Sequence, residues 1–85
     1  MPPLYRLIIQ PSAEREVRAL PTADIKRIAR RIQLLASSPR PPACRKLSDT
    51  VFRIRQGDYR ILYEVDDKTR TVVILKVGHR REVYR

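Results

Sequence analysis

The chain has 85 residues, 42 % of them hydrophobic, and its 19 Lys and Arg against 9 Asp and Glu give a formal net charge of +10. That length holds one domain, 1–85, and leaves no room for a second. Ordinary apolar content with only 2 glycines argues against disorder, and the apolar run Leu7-Ile8-Ile9 is too short to cross a bilayer.

The excess charge points to an anionic partner, nucleic acid or an acidic protein. It does not say where that partner binds: residues 1–42 carry eight Lys/Arg against three acids and residues 43–85 eleven against six, so each half is +5. The single Cys44 can form no internal disulfide, which together with the lack of a signal peptide fits a reducing cytoplasm.

Tyr5 to Gln10 reads as a strand with Leu7, Ile8 and Ile9 half to fully buried, stopped by Pro11. Ser12 is a candidate N-cap for a helix through Leu20, with Ala13, Val17 and Leu20 on one stripe. Pro21 breaks it. Thr22 is positioned to cap a second helix, with Asp24 in the first turn, where the helix dipole favours a carboxylate. Ile25, Ile28, Ala29, Ile32, Leu35 and Ala36 give this helix the cleanest 3.6-residue period in the chain. Ser38-Pro39-Arg40-Pro41-Pro42 ends it. Two short helices across a proline turn predict an antiparallel helical hairpin.

The remainder reads as sheet. Val51–Arg55, 58–65 and 71–77 are rich in β-branched and aromatic residues, and short connections favour an antiparallel meander. Gly57-Asp58 is a turn, and Asp66-Asp67-Lys68-Thr69 is the clearest hairpin loop. Tyr59, Ile61, Tyr63 and Val65 share one face; Arg60, Leu62 and Glu64 share the other. Val72 to Leu75 are apolar on both faces, as in a central strand. The expected fold is α+β, a β-α-α-β-β-β two-layer sandwich with a helical hairpin on a mainly antiparallel four-stranded sheet.

Phe52-Arg53-Ile54-Arg55 alternates apolar and cationic residues, the pattern of a strand with one dry and one charged face. If the meander strands are neighbours, Arg53, Arg55, Arg60, Arg80 and Tyr84 converge on one patch. Arginine's planar fork matches phosphate oxygens and stays charged. Metal-free RNA cleavage by a 2′-hydroxyl needs a base, cations for the developing phosphorane charge and an acid for the 5′-oxygen. The patch supplies the cations. No metal site is expected, because His79 and Cys44 are single and the carboxylates lack ligand spacing.

The ordered set "VFRIRQGDYRILYEV…VVILKVGHRREVY", with the opening strand, the helix pair ending near Leu34-Leu35-Ala36-Ser37-Ser38-Pro39 and Lys46-Leu47, resembles the RelE branch of the RelE/ParE superfamily of bacterial toxins. The resemblance covers almost the whole chain and is densest from Val51 to Tyr84. It implies a ribosome-dependent endoribonuclease that cuts mRNA in the A site, without a cofactor, and that an acidic RelB-like antitoxin neutralises. Cytoplasmic location and ribosomal RNA and mRNA as partners are implied with it, and no membrane. The alternative within the superfamily is a ParE-like poison of DNA gyrase without nuclease activity. A third, weaker alternative is a catalytically dead nucleic-acid-binding regulator.

By the same resemblance, Arg53 and Arg55 match the family's two basic positions on the first meander strand. Arg60 matches the arginine after the Gly-x-Tyr turn, Arg80 the arginine after the last strand, and Tyr84 the C-terminal tyrosine. Well-known members carry lysines where this chain has Arg53 and Arg55. A lysine can give up its proton when its environment demands it, and an arginine effectively cannot. Arg53 and Arg55 are therefore assigned to charge stabilisation and RNA positioning, and Tyr84 is the candidate base. A tyrosine's reference pKa of about 10 is too high for neutral pH, but a crowd of arginines lowers it. Arg80 and His79 remain open alternatives for proton transfer. Arg85 is the last residue of this sequence, whereas some members continue into a C-terminal helix, so Tyr84 is expected on a terminus that takes its catalytic geometry on the ribosome.

Lys46, Lys26, Arg27, Arg30, Arg31 and Arg81 are further candidates for RNA phosphate contact; a solvated charged face is the plainer reading of the four on the second helix. Tyr5, Tyr59 and Tyr63 read as core or rim aromatics rather than base-stacking platforms. Cys44 reads as an unreactive thiol.

Overall fold

Residues 4–79 are described in a computed structural model. Their elements are β1 (Arg6–Ile9), α1 (Pro11–Arg18), α2 (Thr22–Leu34), β2 (Arg45–Lys46), β3 (Val51–Gln56), β4 (Tyr59–Asp66) and β5 (Thr71–His79). The strands form one five-stranded sheet in the order β1-β5-β4-β3-β2. β3, β4 and β5 make the expected antiparallel meander, while β1 lies parallel to β5 at one edge. The α+β two-layer architecture is the one read from the sequence. β2, two residues long, adds a fifth strand antiparallel to β3 at the opposite edge.

Both helices start one or two residues earlier than the polar residues suggested. Gln10 rather than Ser12 occupies the N-cap of α1, with Pro11 at its first position, where a missing N–H costs nothing. Pro21 rather than Thr22 caps α2, and its carbonyl accepts the N–H groups of Asp24 (2.9 Å) and Ile25 (3.0 Å). Asp24 does lie in the first turn of α2.

The alternation of each strand decides what it buries. Phe52 and Ile54 of β3, Ile61, Tyr63 and Val65 of β4 and Val72, Ile74 and Val77 of β5 form one core with Ala13 of α1 and with Ile28, Ile32 and Leu35 from α2 and its end. A β-bulge keeps β5 in phase. Leu62 pairs with Lys76 but Tyr63 pairs with Ile74, so Leu75 is the extra residue. Ile74 and Val77 thereby both reach the core although three positions apart. Phe52 and Tyr63, directly opposite in the ladder, stack with ring centroids 5.9 Å apart, a contact of roughly 0.5–1.5 kcal/mol beyond area burial.

The burial expected of β1 is corrected at two positions: Ile8 is 44 % and Ile9 41 % exposed. β1 is an edge strand. Ile8 shares the uncovered sheet face with Val73, and Ile9 lines a shallow groove with Leu7, Val17, Ala29 and Ile32, where the small Ala29 leaves space. β1 ends beside Ile74, and beyond that point Glu16 of α1 protects the edge of β5. Its Oε1 accepts the Val77 N–H at 3.1 Å, and its Oε2 lies 3.4 Å from Lys76 Nζ.

The long connection after α2 is pinned to the β4–β5 hairpin. Arg40 donates to both oxygens of Asp67, Nη1 to Oδ1 at 3.1 Å and Nη2 to Oδ2 at 2.8 Å, and its guanidinium lies 5.3 Å from the Phe52 ring centroid. Tyr5 also donates its hydroxyl to Asp67 Oδ1.

Candidate nucleic-acid interface

The helices cover one face of the sheet, and no other element of the described residues packs on the second. Because side chains alternate, the register states which residues share that open face. One row across the sheet reads Arg45, Arg53, Leu62, Lys76 and the next reads Arg55, Arg60, Gly78. A third row, Val51, Glu64, Val73, Ile8, is mostly apolar. Cations therefore gather at the β2–β3–β4 side, toward the Gly57-Asp58 turn.

That turn fixes the most crowded pair. Gln56 and Tyr59 close the hairpin and Arg55 faces Arg60 one rung away. Gly57 adopts φ +61° at the first central position, where a side chain would be strained. Like charges directly opposite in a ladder are destabilising. They occur twice in adjacent rows, Arg45 with Arg53 and Arg55 with Arg60. An anion between the partners relieves that repulsion, and arginine binds phosphate bidentately. Gly78 adds no side chain beside Arg60, and Arg55 is the exposed cation of this row.

The structure thus brings together Arg53, Arg55 and Arg60 of the sequence-predicted set. Arg80, Arg81 and Tyr84 lie outside the described residues; β5 ends at His79, next to the Arg55–Arg60 row. Lys46 is the partner of Phe52, so it stands on the helical side of the sheet. Lys26, Arg27 and Arg30 line one exposed side of α2 with Thr22 and Ala23 and belong to the helical layer. Arg27 Nη1 is 3.7 Å from Asp24 Oδ1, an exposed pair of small energetic weight. Arg31 is half-buried against Leu34, Leu35, Pro41 and Ile54. The cations of α2 and those of the sheet face do not merge into one surface.

Arg45 is the residue that sequence reasoning missed. Two residues show no period, so nothing in Arg45-Lys46 tells which side chain joins the arginine face. Only the pairing of β2 with β3 settles it.

The three described tyrosines are engaged elsewhere. Tyr63 is buried and donates its hydroxyl to the Pro39 carbonyl at 2.8 Å; burial pushes its pKa well up. Tyr59 donates to Asp24 Oδ2 at 3.0 Å, and that bond with partial burial raises its pKa. Tyr5 is held by Asp67, which raises its pKa in the same way, while the Arg40 and Tyr5 hydrogen bonds hold the Asp67 carboxyl below its ordinary value. All three are core or rim aromatics, as read from the sequence. His79 pairs with Tyr59 on the helical side, ring edge to face at 6.3 Å. It does not share a face with Arg55 and Arg60. Cys44 is half-buried at the rim of the core. Among the described residues, no three His, Cys, Asp or Glu groups come together as metal ligands would, and no helix is long and apolar enough to cross a membrane.

Comparison with known proteins places this geometry in context. The family model for the ParE toxin of the type II toxin–antitoxin system parDE matches residues 7–84. The toxin RelG of Mycobacterium tuberculosis is 52 % identical over 44 residues, 52 % of this chain and 49 % of that protein, so the match spans about half the relative's length. The toxin–antitoxin complex RelBE2 of M. tuberculosis contains a chain that superposes with a TM-score of 0.80 at 31 % identity, covering 91 % of this chain and 99 % of that one. A chain of the archaeal RelE–RelB complex from Pyrococcus horikoshii superposes at 0.81 and 26 % identity, covering 94 % and 99 %. The isolated RelE toxin of E. coli superposes at 0.79 and 27 %, covering 94 % and 90 %.

Proposed function

This chain belongs to the RelE/ParE superfamily of toxins of type II toxin–antitoxin systems, where it is of RelE type, and from that we propose that it is a ribosome-dependent endoribonuclease cutting mRNA in the A site. The observation that carries the proposal is the pair of adjacent cationic rows on an open sheet face. A protein that only had to be soluble has no reason to set arginine opposite arginine twice.

In this reading the 2′-hydroxyl of one nucleotide attacks the adjacent phosphorus while the bond from phosphorus to the 5′-oxygen breaks. Arg55 and Arg60 flank the phosphate and stabilise the phosphorane charge as it develops, the kind of preorganised contact worth several kcal/mol in a transition state. Arg53 holds the backbone in line for the attack. Tyr84 takes the proton of the 2′-hydroxyl, and Arg80 stabilises the departing 5′-oxygen, which takes its proton from water. These two roles rest on the family resemblance; Arg80 is two residues beyond Gly78, the partner of Arg60. The cations of α2 are reserved for ribosomal RNA phosphates.

The partner that silences this activity is an acidic RelB-type antitoxin. The named complexes of similar toxins with their antitoxins support it, as does the charge of +10. The site of action is the cytoplasm, where translating ribosomes are.

One observation favours a second reading, a gyrase poison without nuclease activity: the matching family model is described by the ParE toxin. Induction in cells separates the two. Translation arrest with messages cut within codons supports the nuclease; DNA damage with intact messages supports the poison. If Arg80→Ala and Tyr84→Phe leave toxicity and cleavage unchanged, Tyr84 is not the base and Arg80 does not support the departing oxygen.

A further inference from the structure

We propose that Arg45 is an RNA-positioning residue that seats the phosphate next to the one being cleaved. The proposal deepens the nuclease reading and rests on it. Its basis is the register: Arg45 faces Arg53 across β2 and β3, on the same open face as Arg55 and Arg60. Arg45 is exposed on a two-residue edge strand, so burial does not explain its place beside another arginine.

The two rows lie two residues apart along β3, a step of about 6.8 Å at the rise of an extended strand. That step is close to one nucleotide of an extended single strand. A sugar–phosphate backbone lying along β3 with one phosphate between Arg55 and Arg60 brings its neighbour over Arg53 and Arg45. Cationic tracks of this kind follow the backbone and leave base identity to other contacts. Leu62 follows Arg53 in the same row, and Lys76 beyond it is engaged with Glu16.

The assignment separates Arg45 from Arg55. Arg45 touches a phosphate whose charge does not change during the reaction. Its loss therefore weakens binding without slowing the chemical step. Arg55 acts where charge develops, and its loss slows the step itself.

Two measurements on the full chain test this. In the first, a short single-stranded RNA carrying 2′-deoxynucleotides, so that it binds uncut, is titrated at several salt concentrations. Arg45→Ala is expected to lower the slope of log affinity against log salt by about 0.7, the release of one phosphate contact from a single strand. Lys68→Ala, in the hairpin loop at the far end of β4, is expected to leave it unchanged. In the second, cleavage is measured on ribosomes programmed with a defined message. Arg45→Ala is expected to raise the half-saturating concentration about tenfold, with the rate at saturation within about threefold and Arg45→Lys recovering part of the loss.

An unchanged salt slope together with an unchanged half-saturation overturns the proposal while leaving the nuclease reading intact. A saturating rate that falls as far as it does for Arg55→Ala also overturns it, since Arg45 would then act in the chemistry. If the wild-type chain cuts no message but the slope still drops, the nuclease reading fails and the phosphate contact at Arg45 stands.

Discussion

Arg55 and Arg60 face each other across the β3–β4 hairpin, one rung from its closing pair Gln56 and Tyr59. Two cations held at this spacing present a site for an anion. Arg55 serves that site more than it serves the fold. Arg55, the exposed partner, is the cleaner probe. Arg55→Ala should leave the melting temperature unchanged or raised, and should slow cleavage of ribosome-bound mRNA by about 10²–10³-fold, the cost of losing one preorganised charge contact. Thermal denaturation and a single-turnover cleavage assay on the same preparation check both halves.

His79 ends β5 on the helical side, against Tyr59, away from the arginine face. His79→Gln should keep the cleavage rate within about threefold of wild type, where a general acid would cost about 10²–10⁴-fold. The pH profile of the saturating rate should also keep its shape. A lost limb in that profile would return the proton-donor role to His79.

The sheet was legible because its signals are long. Val51 to Gln56 shows enough alternation to fix both the strand and its charged face with Arg53 and Arg55, and the alternation from Tyr59 to Val65 sets Arg60 apart from the apolar face. β2 was not legible. With only Arg45 and Lys46 there is no period to read, and a one-residue choice decides the face. Ile8 and Ile9 look like core residues in the sequence, but their exposure follows from β1 lying at an edge, a property of strand order and not of local pattern. The step from Ile74 to Val77 depends on a bulge that no residue type between them announces. The helix starts were misplaced by a residue or two because the prolines, not the neighbouring Ser12 and Thr22, set them.

Asp67 ties three segments together through Arg40 and Tyr5. The Arg40 and Tyr5 hydrogen bonds depress its pKa below the ordinary 3.8. Its contribution to stability is thus present above about pH 4 and is lost as pH falls through the depressed value. Asp67→Asn should flatten the acid side of the stability profile, bringing the variant closer to wild type as the pH falls below about 4. Tyr5 has the opposite sign: its raised pKa means the stability it confers is complete below 10.0 and declines as pH rises through its folded value. Chemical denaturation across pH, with Tyr5→Phe alongside, reads both limbs.

Tyr63 is fully buried on the helical side, with its hydroxyl on the Pro39 carbonyl. Tyr63→Phe should cost about 0.5–1.5 kcal/mol of stability, one buried hydrogen bond, with RNA affinity unchanged. If Tyr63 stacked on a base, truncation to Ala or Leu would weaken RNA binding by about 1–3 kcal/mol. Denaturant titration and RNA binding on Tyr63→Phe and Tyr63→Leu separate the two roles.

The central claim is that the arginine face cuts RNA by 2′-hydroxyl attack, and it is tested most directly with purified ribosomes programmed with a defined message. The wild-type chain should cut once in the A-site codon and leave a 5′-hydroxyl on the downstream fragment. Replacing the 2′-hydroxyl of the scissile nucleotide with hydrogen should abolish the cut. A message that stays intact on the ribosome, while the same preparation traps DNA gyrase on DNA, would contradict the account.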